Sequence, residues 1–345
     1  MRRLRLLVAA GAATLALLGA ASPADAANPC APWSDRTLAS GLGSLENIEF
    51  DDLGGLLLSA TAQNAIVRLG RNGKLKHLVD NVNNPGGMRV RGGVLFFNTG
   101  DALASGIFGT PDGTIDRLDL RTRRHTVYAR HLIMPNGLVF LPNGDALTSR
   151  DIGGPPGIYV APHRDPDHPR PWAQTDDSNG MAVDPSGRWL YANQTFKHDS
   201  PVLRIRISDP TRIEVLARVG EAKGLDDMTI DRSGVLYLAA NGSGEIIRLD
   251  PRTGASCVIA GGAAAAWHNT SAVKFGCGPG WPSDHLFAVG FDGVVHELTP
   301  PGPAPHARGD CSGRLRPGPP SRRIRDDRHW PPGEGSGEDR RTSRN

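Results

Sequence analysis

Short apolar runs recur along the middle of the chain, and each is bounded by residues typical of turns. Leu56–Ser59, Trp189–Ala192 and Val235–Leu238 are three such runs. Two of them are preceded by Asp184–Gly187 and Asp231–Gly234, which have the composition of tight turns. Apolar runs of this length between turn residues indicate β-strands rather than helices. The pattern therefore predicts an all-β protein built from many short strands.

The strand pattern repeats six times, and each copy opens with a segment that would form the first strand of a repeat unit. The six copies begin at Glu46, Gly87, Asn136, Asn179, Asp226 and Thr270. From the second copy onward, successive starts are 49, 43, 47 and 44 residues apart. A period of about 40–50 residues is typical of a four-stranded propeller blade. We therefore predict a six-bladed β-propeller.

The ends of the repeat indicate how such a ring would close. A lone strand-like segment, Arg36–Ser40, precedes the first copy, and the sixth copy ends soon after Gly293–Leu298. Pairing the N-terminal segment with the last blade would protect both exposed sheet edges. The predicted domain is accordingly an all-β, six-bladed β-propeller over residues 27–300, closed by an N-terminal strand.

The two ends of the chain differ from the repeat. Met1–Arg5 is basic, Leu6–Ala21 is apolar and Ala24–Ala26 has the small residues of a cleavage site. This order predicts a secretory signal peptide over residues 1–26, and the apolar run is shorter than the ~20 residues that span a bilayer. We therefore expect secretion and no membrane span. Residues 301–345 are rich in Pro, Gly and Arg and lack an apolar period, which predicts a disordered tail.

Composition and charge narrow the function classes. The 43 Gly, 28 Pro and 6% aromatic residues weigh against coiled coils and helical bundles. The net charge of +3 arises at the two termini, so residues 27–300 carry a small net negative charge. A nucleic-acid partner is therefore not expected. We expect a monomer that binds a small molecule.

Four cysteines are present, at positions 30, 257, 277 and 311. Export would allow disulfide bonds, and four cysteines permit three sets of pairings. Sequence alone does not choose among them, and we favour Cys257 with Cys277. None of the four has the Cys-x-x-Cys spacing of a metal site, so we expect a structural role for them.

Four of the six repeat starts carry a carboxylate or amide side chain: Glu46, Asn136, Asn179 and Asp226. In a propeller the first strands of all blades begin at one mouth of the central channel, so these side chains would converge. Two carboxylates and two amides form a hard-oxygen ligand set, which predicts one divalent metal ion, Ca²⁺ in particular. The alternative for any one of these residues is a structural role, because Asn-Gly forms turns and Asp caps loops.

Common catalytic signatures are absent from the sequence: it has no Gly-x-Ser-x-Gly elbow, phosphate loop, His-Glu-x-x-His motif or dinucleotide fingerprint. A serine hydrolase is therefore disfavoured. Further polar residues follow second strands and are candidates for the rim of the channel mouth, with solvated turn positions as the alternative. These rim candidates are Asp101, Arg150, Asp151, Thr195 and Asn241.

Three segments resemble the regucalcin and gluconolactonase group of six-bladed propellers, also called the senescence marker protein family. They are Asn179–Gly187, Leu225–Gly234 and Ala240–Pro251, and the wider resemblance covers roughly residues 40–298. The resemblance implies the six-bladed fold and an enzyme that opens lactone rings.

The resemblance also implies roles for individual residues. Glu46, Asn179 and Asp226 match the family's metal-binding Glu, Asn and Asp. Asn136 matches an Asn that contacts metal or substrate. The chain departs from the family at Met134, where sugar-lactone members tend to carry an Arg. This difference weighs against sugar acids as the substrates.

The chemistry of such an enzyme fits the predicted ligands. A divalent ion would polarise the ester carbonyl and stabilise the oxyanion as water attacks, while Asp226 or its neighbour Asp227 takes the proton of the water. We therefore predict a secreted, calcium-dependent lactonase or esterase-type hydrolase whose substrate is a small-molecule lactone or ester. The alternatives are a non-catalytic secreted binding propeller and a strictosidine-synthase-like propeller. The complete Glu, Asn, Asn and Asp set argues against the second.

Overall fold

The computed structural model describes residues 28–154, 157–262, 267–302 and 308. The strands in these residues form six antiparallel sheets of four strands each, which are the blades of a propeller. The prediction of an all-β, six-bladed propeller is therefore confirmed. The predicted signal peptide, residues 1–26, lies outside the described residues. The predicted tail, residues 301–345, also lies outside them apart from residues 301, 302 and 308.

The strands of each blade are given from the innermost to the outermost. Blade 1 contains β2 (Leu45–Phe50), β3 (Gly55–Ala60), β4 (Ala65–Gly70) and β5 (Leu75–Val79). Blade 2 contains β6 (Met88–Arg91), β7 (Val94–Thr99), β8 (Gly113–Asp119) and β9 (His125–Leu132). Blade 3 contains β10 (Leu138–Phe140), β11 (Ala146–Ser149), β12 (Ile158–Ala161) and β13 (Arg170–Ala173). Blade 4 contains β14 (Ser178–Val183), β15 (Trp189–Gln194), β16 (Pro201–Arg206) and β17 (Asp209–Arg218).

Blade 5 contains β18 (Leu225–Ile230), β19 (Leu236–Ala240), β20 (Glu245–Leu249) and β21 (Ser256–Gly261). Blade 6 contains β22 (Thr270–Phe275), β23 (Leu286–Gly290), β24 (Val295–Thr299) and β1 (Ser34–Ala39). A one-turn 3₁₀ helix (Thr61–Gln63) follows β3, and helix α1 (Leu103–Phe108) follows β7. Among the residues that the structure describes, no helix is long and apolar enough to cross a membrane.

The ring closes through the two ends of the chain. The first strand of each blade contacts the first strands of its two neighbours, and β2 contacts both β6 and β22. Strand β1 pairs antiparallel with β24, with Ser34 opposite Thr299 and Arg36 opposite Glu297. Because β1 comes from the N-terminal end and the rest of blade 6 from the C-terminal end, their pairing closes the ring. The predicted closing strand is confirmed.

The apolar core lies between neighbouring blades. Leu57 and Ile66 of blade 1 pack with Met88 and Phe97 of blade 2 in one buried cluster. Strand β2 is buried along its whole length, since its neighbours cover both of its faces. Full burial of one large apolar side chain contributes about 1.5–3 kcal/mol. Packing between blades therefore stabilises the ring and fixes the first strands, on which the candidate site is built.

The disulfide bond differs from the one predicted. Cys30 is bonded to Cys257, with a Cα–Cα distance of 5.8 Å, so the predicted pairing of Cys257 with Cys277 is wrong. Cys257 lies on β21, and the Trp33 N–H donates to the Ile259 carbonyl at 2.8 Å. The segment before β1 therefore runs along the outer strand of blade 5. The observed pairing depends on ring closure, which brings the N-terminal segment to blade 5.

Candidate metal and catalytic site

The four predicted ligand residues all lie at one mouth of the channel. In each blade the start of the first strand pairs with the end of the second, as Leu45 does with Ala60. Glu46, Asn179 and Asp226 are each the second residue of a first strand, and Asn136 lies just before β10. All four are buried. The mouth is therefore formed by first-strand starts together with the segments that follow second strands.

Irregular strand pairing positions three of these side chains. In blades 1, 4 and 5 the pairing between the first and second strands shifts register at Glu46, Asn179 and Asp226, respectively. The shifts lie between Leu45 and Asn47, between Ser178 and Met181, and between Leu225 and Met228. Such irregularities bend a strand locally and redirect a side chain. The same local distortion recurs at Glu46, Asn179 and Asp226, and it also occurs at the start of blade 6 between Thr270 and Ala272, so it is a common feature of the first strands.

Asn136 links two carboxylates at the mouth. Its Nδ2 atom donates to Asp101 Oδ2 at 3.1 Å and to Glu46 Oε1 at 3.4 Å. Asn136 therefore presents its amide nitrogen to these carboxylates in this structure. Asp101, a rim candidate from blade 2, is joined through it to the predicted ligand set.

Two further hydrogen bonds orient predicted ligands. Asn179 Nδ2 donates to Asp151 Oδ2 at 3.4 Å, and Asn241 Nδ2 donates to Asp226 Oδ2 at 3.2 Å. Each bond occupies one polar atom of the ligand residue and leaves the other free. Asn179 Oδ1 and Asp226 Oδ1 are both buried and have no hydrogen-bond partner. Asp151 and Asn241 therefore belong to the site.

The other two rim candidates have different partners. Thr195 Oγ1 donates to the Leu225 carbonyl at 2.8 Å, next to Asp226. The Arg150 guanidinium donates to the carbonyls of Gly153 and Gly154, each at 2.7 Å. Thr195 thus supports the backbone of blade 5, while Arg150 supports its own loop.

Asp227, the second predicted catalytic residue, has a different set of partners from Asp226. Asn47 Nδ2 donates to Asp227 Oδ2 at 2.8 Å, and the Arg89 guanidinium lies 3.8 Å from Asp227 Oδ1. Asp227 is buried and its charge still acts on Glu46 and Asp226. It therefore neighbours the site while being paired within the channel. Its catalytic role stays a prediction.

The carboxylates of the site repel one another. Burial, followed by repulsion from Asp151 and Asp227, raises the pKa of Glu46 to about 8. Burial and the neighbouring charge of Glu46 raise the pKa of Asp226 and that of Asp101 well above their usual range. Burial likewise raises the pKa of Asp151 to about 6. A divalent cation at this position would offset the repulsion and favour the ionised carboxylates.

The donor set fits a hard divalent cation. Several buried side-chain oxygens at the mouth lack a hydrogen-bond partner: Asp101 Oδ1, Asp151 Oδ1, Asn179 Oδ1, Asp226 Oδ1 and Asp227 Oδ1. Carboxylate and amide oxygens are the ligands that Ca²⁺ takes in proteins. Within the described ranges, no group of three or more His, Cys, Asp and Glu residues could hold a metal by itself. An ion here would therefore depend on amide oxygens as well as carboxylates.

The sequence analysis missed three residues that hold the backbone of the site. Each is a polar residue at or next to the end of a second strand, and each donates to the backbone of a predicted ligand in the next blade. The hydrogen bonds run from Asn98 Nδ2 to Asn136 O (2.8 Å), from Ser149 Oγ to Asn179 O (2.5 Å) and from Asn193 Nδ2 to Asp226 O (2.5 Å). The sequence offered one signal for these three residues: a polar residue recurs near the end of successive apolar second strands.

Comparison with known families adds a match over the later blades. The family described as SMP-30/Gluconolactonase/LRE-like region matches residues 157–276. This part of the chain is similar to that family. The region contains Asn179 and Asp226, whereas Glu46 and Asn136 precede it. The resemblance predicted from the sequence is confirmed. None of the curated proteins matches the chain by sequence.

Solved structures share the six-bladed fold of this chain. A gluconolactonase from Xanthomonas campestris is 17% identical with a TM-score of 0.62, covering 77% of this chain and 89% of its own. The calcium-binding protein regucalcin from Agrobacterium tumefaciens is 17% identical with a TM-score of 0.58, covering 81% and 96%. A virginiamycin B lyase from Staphylococcus aureus, solved with quinupristin, is 14% identical with a TM-score of 0.52, covering 78% and 99%. At these identities the likeness establishes the fold alone.

Proposed function

We propose that this protein is a secreted, divalent-metal-dependent hydrolase that opens a lactone or a related ester. The observation that carries the proposal is the cluster of buried carboxylate and amide oxygens at the channel mouth, several of which lack a partner. The SMP-30/gluconolactonase/LRE-like match and the gluconolactonase fold support the lactonase class. The Cys30–Cys257 disulfide supports export, since disulfide bonds persist in oxidising compartments.

The metal ligands in this proposal are Glu46, Asn179 and Asp226, with Asn136 beside them. Asn179 and Asp226 each keep one buried oxygen without a partner, and the irregular strand starts direct both to the mouth. When bound, a divalent ion such as Ca²⁺ would polarise the substrate carbonyl and stabilise the oxyanion formed as water attacks. The calcium-binding neighbour regucalcin supports Ca²⁺ as the ion.

The chain supplies the base for this reaction. Asp226 accepts the Asn241 hydrogen bond on Oδ2, and with Oδ1 on the ion the second lone pair of Oδ2 would take the proton of the attacking water. Asp227 is the second candidate because it is buried directly beside Asp226. The Asn193 bond to the Asp226 carbonyl holds the backbone of both residues in place.

A hydrolysis screen tests this function. A panel of lactones and esters would be assayed by acid release, with the protein as purified, after treatment with a chelator, and after Ca²⁺ is restored. We expect hydrolysis of at least one lactone, its loss on chelation and its recovery with Ca²⁺. Asp226→Asn should lose most of the activity, whereas Asp231→Asn, in the turn at the far end of β18, should keep it.

Two results would count against the proposal. Activity that survives full chelation would contradict the metal mechanism. Calcium binding without hydrolysis of any lactone or ester would instead indicate a non-catalytic binding propeller.

A further inference from the structure

Helix α1 buries small residues and exposes its large apolar side chains. Its buried residues are Ser105 and Gly106, while Leu103, Ile107 and Phe108 are 57%, 57% and 79% exposed. A surface helix normally buries its apolar side and exposes its polar side. The helix therefore presents an apolar patch, here called the α1 patch (Leu103, Ile107 and Phe108), that the described fold leaves uncovered.

The α1 patch borders the candidate site. The helix begins two residues after Asp101, which accepts a hydrogen bond from Asn136. Its buried side packs so closely on blade 3 that a Cβ atom at Gly106 would lie 2.4 Å from Met134 Sδ and 3.2 Å from Ile152 Cβ. Met134 is two residues before Asn136 in the sequence, and Ile152 directly follows the site residue Asp151. Helix α1 is thus fixed on the rim of the mouth.

Other exposed apolar side chains also lie on this rim. Among the described residues, nine large apolar side chains are exposed, and five of them lie on segments that follow second strands. These five are Leu103, Ile107, Phe108, Phe196 and Phe291. The other four lie on outermost strands or in a turn at the opposite end of a blade: Leu53, Leu75, Val215 and Val258. Apart from the three in α1, these side chains are exposed singly, which is ordinary for a protein surface, so the α1 patch is the group that calls for a partner.

The floor of the mouth is acidic. The carboxylates of Glu46 and Asp101 accept hydrogen bonds from the same Asn136 amide, and the Asp151 carboxylate accepts one from Asn179, so carboxylates from three blades line the mouth. The guanidinium of the rim residue Arg150 is engaged by its own loop carbonyls, and that of Arg89 lies beside Asp227. A substrate with a negative charge would be repelled here, and an uncharged one would not.

We infer that the substrate is an uncharged lactone or ester that carries an apolar chain. The reacting ring lies at the carboxylate and amide cluster, and the chain lies along the α1 patch. This inference rests on the proposed function and specifies its substrate class. Burial of each methylene group of the chain on the patch should raise kcat/KM by roughly three- to fourfold until the patch is covered.

A series of γ-lactones with side chains from methyl to octyl tests the inference. We expect kcat/KM to rise with chain length and then level off, and a lactone bearing a carboxylate to be a poor substrate. Phe108→Ser and Ile107→Ser should flatten this dependence while leaving the methyl lactone unaffected, because neither residue belongs to the reacting site. The matched control is Leu75→Ser, which removes a comparably exposed side chain from the outer strand β5 and should change nothing.

Equal kcat/KM along the series, or an equal effect of Leu75→Ser, would overturn the inference. A change of association state in Phe108→Ser, seen by light scattering with chain dependence intact, would assign the patch to a protein partner and overturn it as well. Calorimetry with the corresponding lactams, which resist hydrolysis, separates this inference from the proposed function. Chain-dependent lactam binding without turnover of any lactone would support the apolar site and contradict the hydrolase.

Discussion

The carboxylate cluster makes the stability of the metal-free protein depend on pH, and Glu46 contributes to this dependence near neutrality. The pKa of Glu46 is raised from 4.5 to about 8 in the folded protein. As the pH rises above 4.5, the unfolded chain releases this proton while the folded protein keeps it. The folded state then binds more protons than the unfolded one, so the free energy of unfolding falls with rising pH until the pH passes about 8.

The size of the effect follows from the shift. One pKa unit corresponds to about 1.4 kcal/mol, so Glu46 alone should lower the free energy of unfolding by about 3 kcal/mol over two pH units between pH 5.5 and pH 7.5. Glu46→Gln removes the titrating group and keeps its shape. The free energy of unfolding of the variant should therefore fall less steeply with pH than that of the wild type, by roughly 1 kcal/mol per pH unit in this range.

Urea unfolding in the presence of a chelator, followed by tryptophan fluorescence across this pH range, measures the effect directly. The control is Glu221→Gln, which changes an exposed glutamate on the loop before β18 and should keep the wild-type slope. Saturating Ca²⁺ should flatten the wild-type dependence, because a bound cation favours the ionised carboxylates. A wild-type protein whose stability rises with pH under chelation, or a Glu46→Gln slope equal to that of the wild type, would refute the reasoning.

Three further outcomes are expected. Cys30→Ser should lower the free energy of unfolding by about 2–5 kcal/mol in urea denaturation, and the wild type should lose a similar amount on reduction; no effect of reductant would show that the bond does not stabilise the ring. Asn193→Ala should lower the free energy of unfolding by about 2–5 kcal/mol and weaken Ca²⁺ binding in calorimetry, because the Gly180 N–H and the Asp226 carbonyl are then buried without partners. Unchanged stability and affinity would contradict this role of Asn193. Truncation after residue 302 should lower Tm by about 2–4 °C in calorimetric scanning, because it removes the Arg308 carbonyl that accepts a hydrogen bond from the Arg232 N–H at 3.0 Å; an unchanged Tm would show that this contact does not stabilise the domain.

Most of the fold could be predicted because a propeller repeats its strand pattern along the chain. The spacing of the starts at Gly87, Asn136 and Asn179 defined the blade length, and the unpaired segment near Arg36 indicated ring closure. The disulfide could not be predicted in the same way. Its partners lie 227 residues apart and meet only once the N-terminal segment runs along blade 5.

Part of the candidate site could also be predicted from the sequence, and part of it could not. The first-strand residues Glu46 and Asp226 could be brought together from topology alone, because every blade begins at the same mouth. The hydrogen bond between Asp101 and Asn136 could not, since it depends on the path of the loop that leads into α1. The exposure of Phe108 depends on that path too, because a sequence pattern gives the apolar residues of a helix but not the side that packs.

The central claim is that the oxygens at the channel mouth hold one divalent ion. Anomalous scattering from crystals grown with Mn²⁺, repeated with Ca²⁺ in competition, locates such an ion directly. We expect one peak at about 2.0–2.6 Å from oxygens of Glu46, Asn179 and Asp226, diminished by Ca²⁺ and absent in Asp226→Asn. A map with no peak at the mouth, or with a peak bound by other residues, would contradict it.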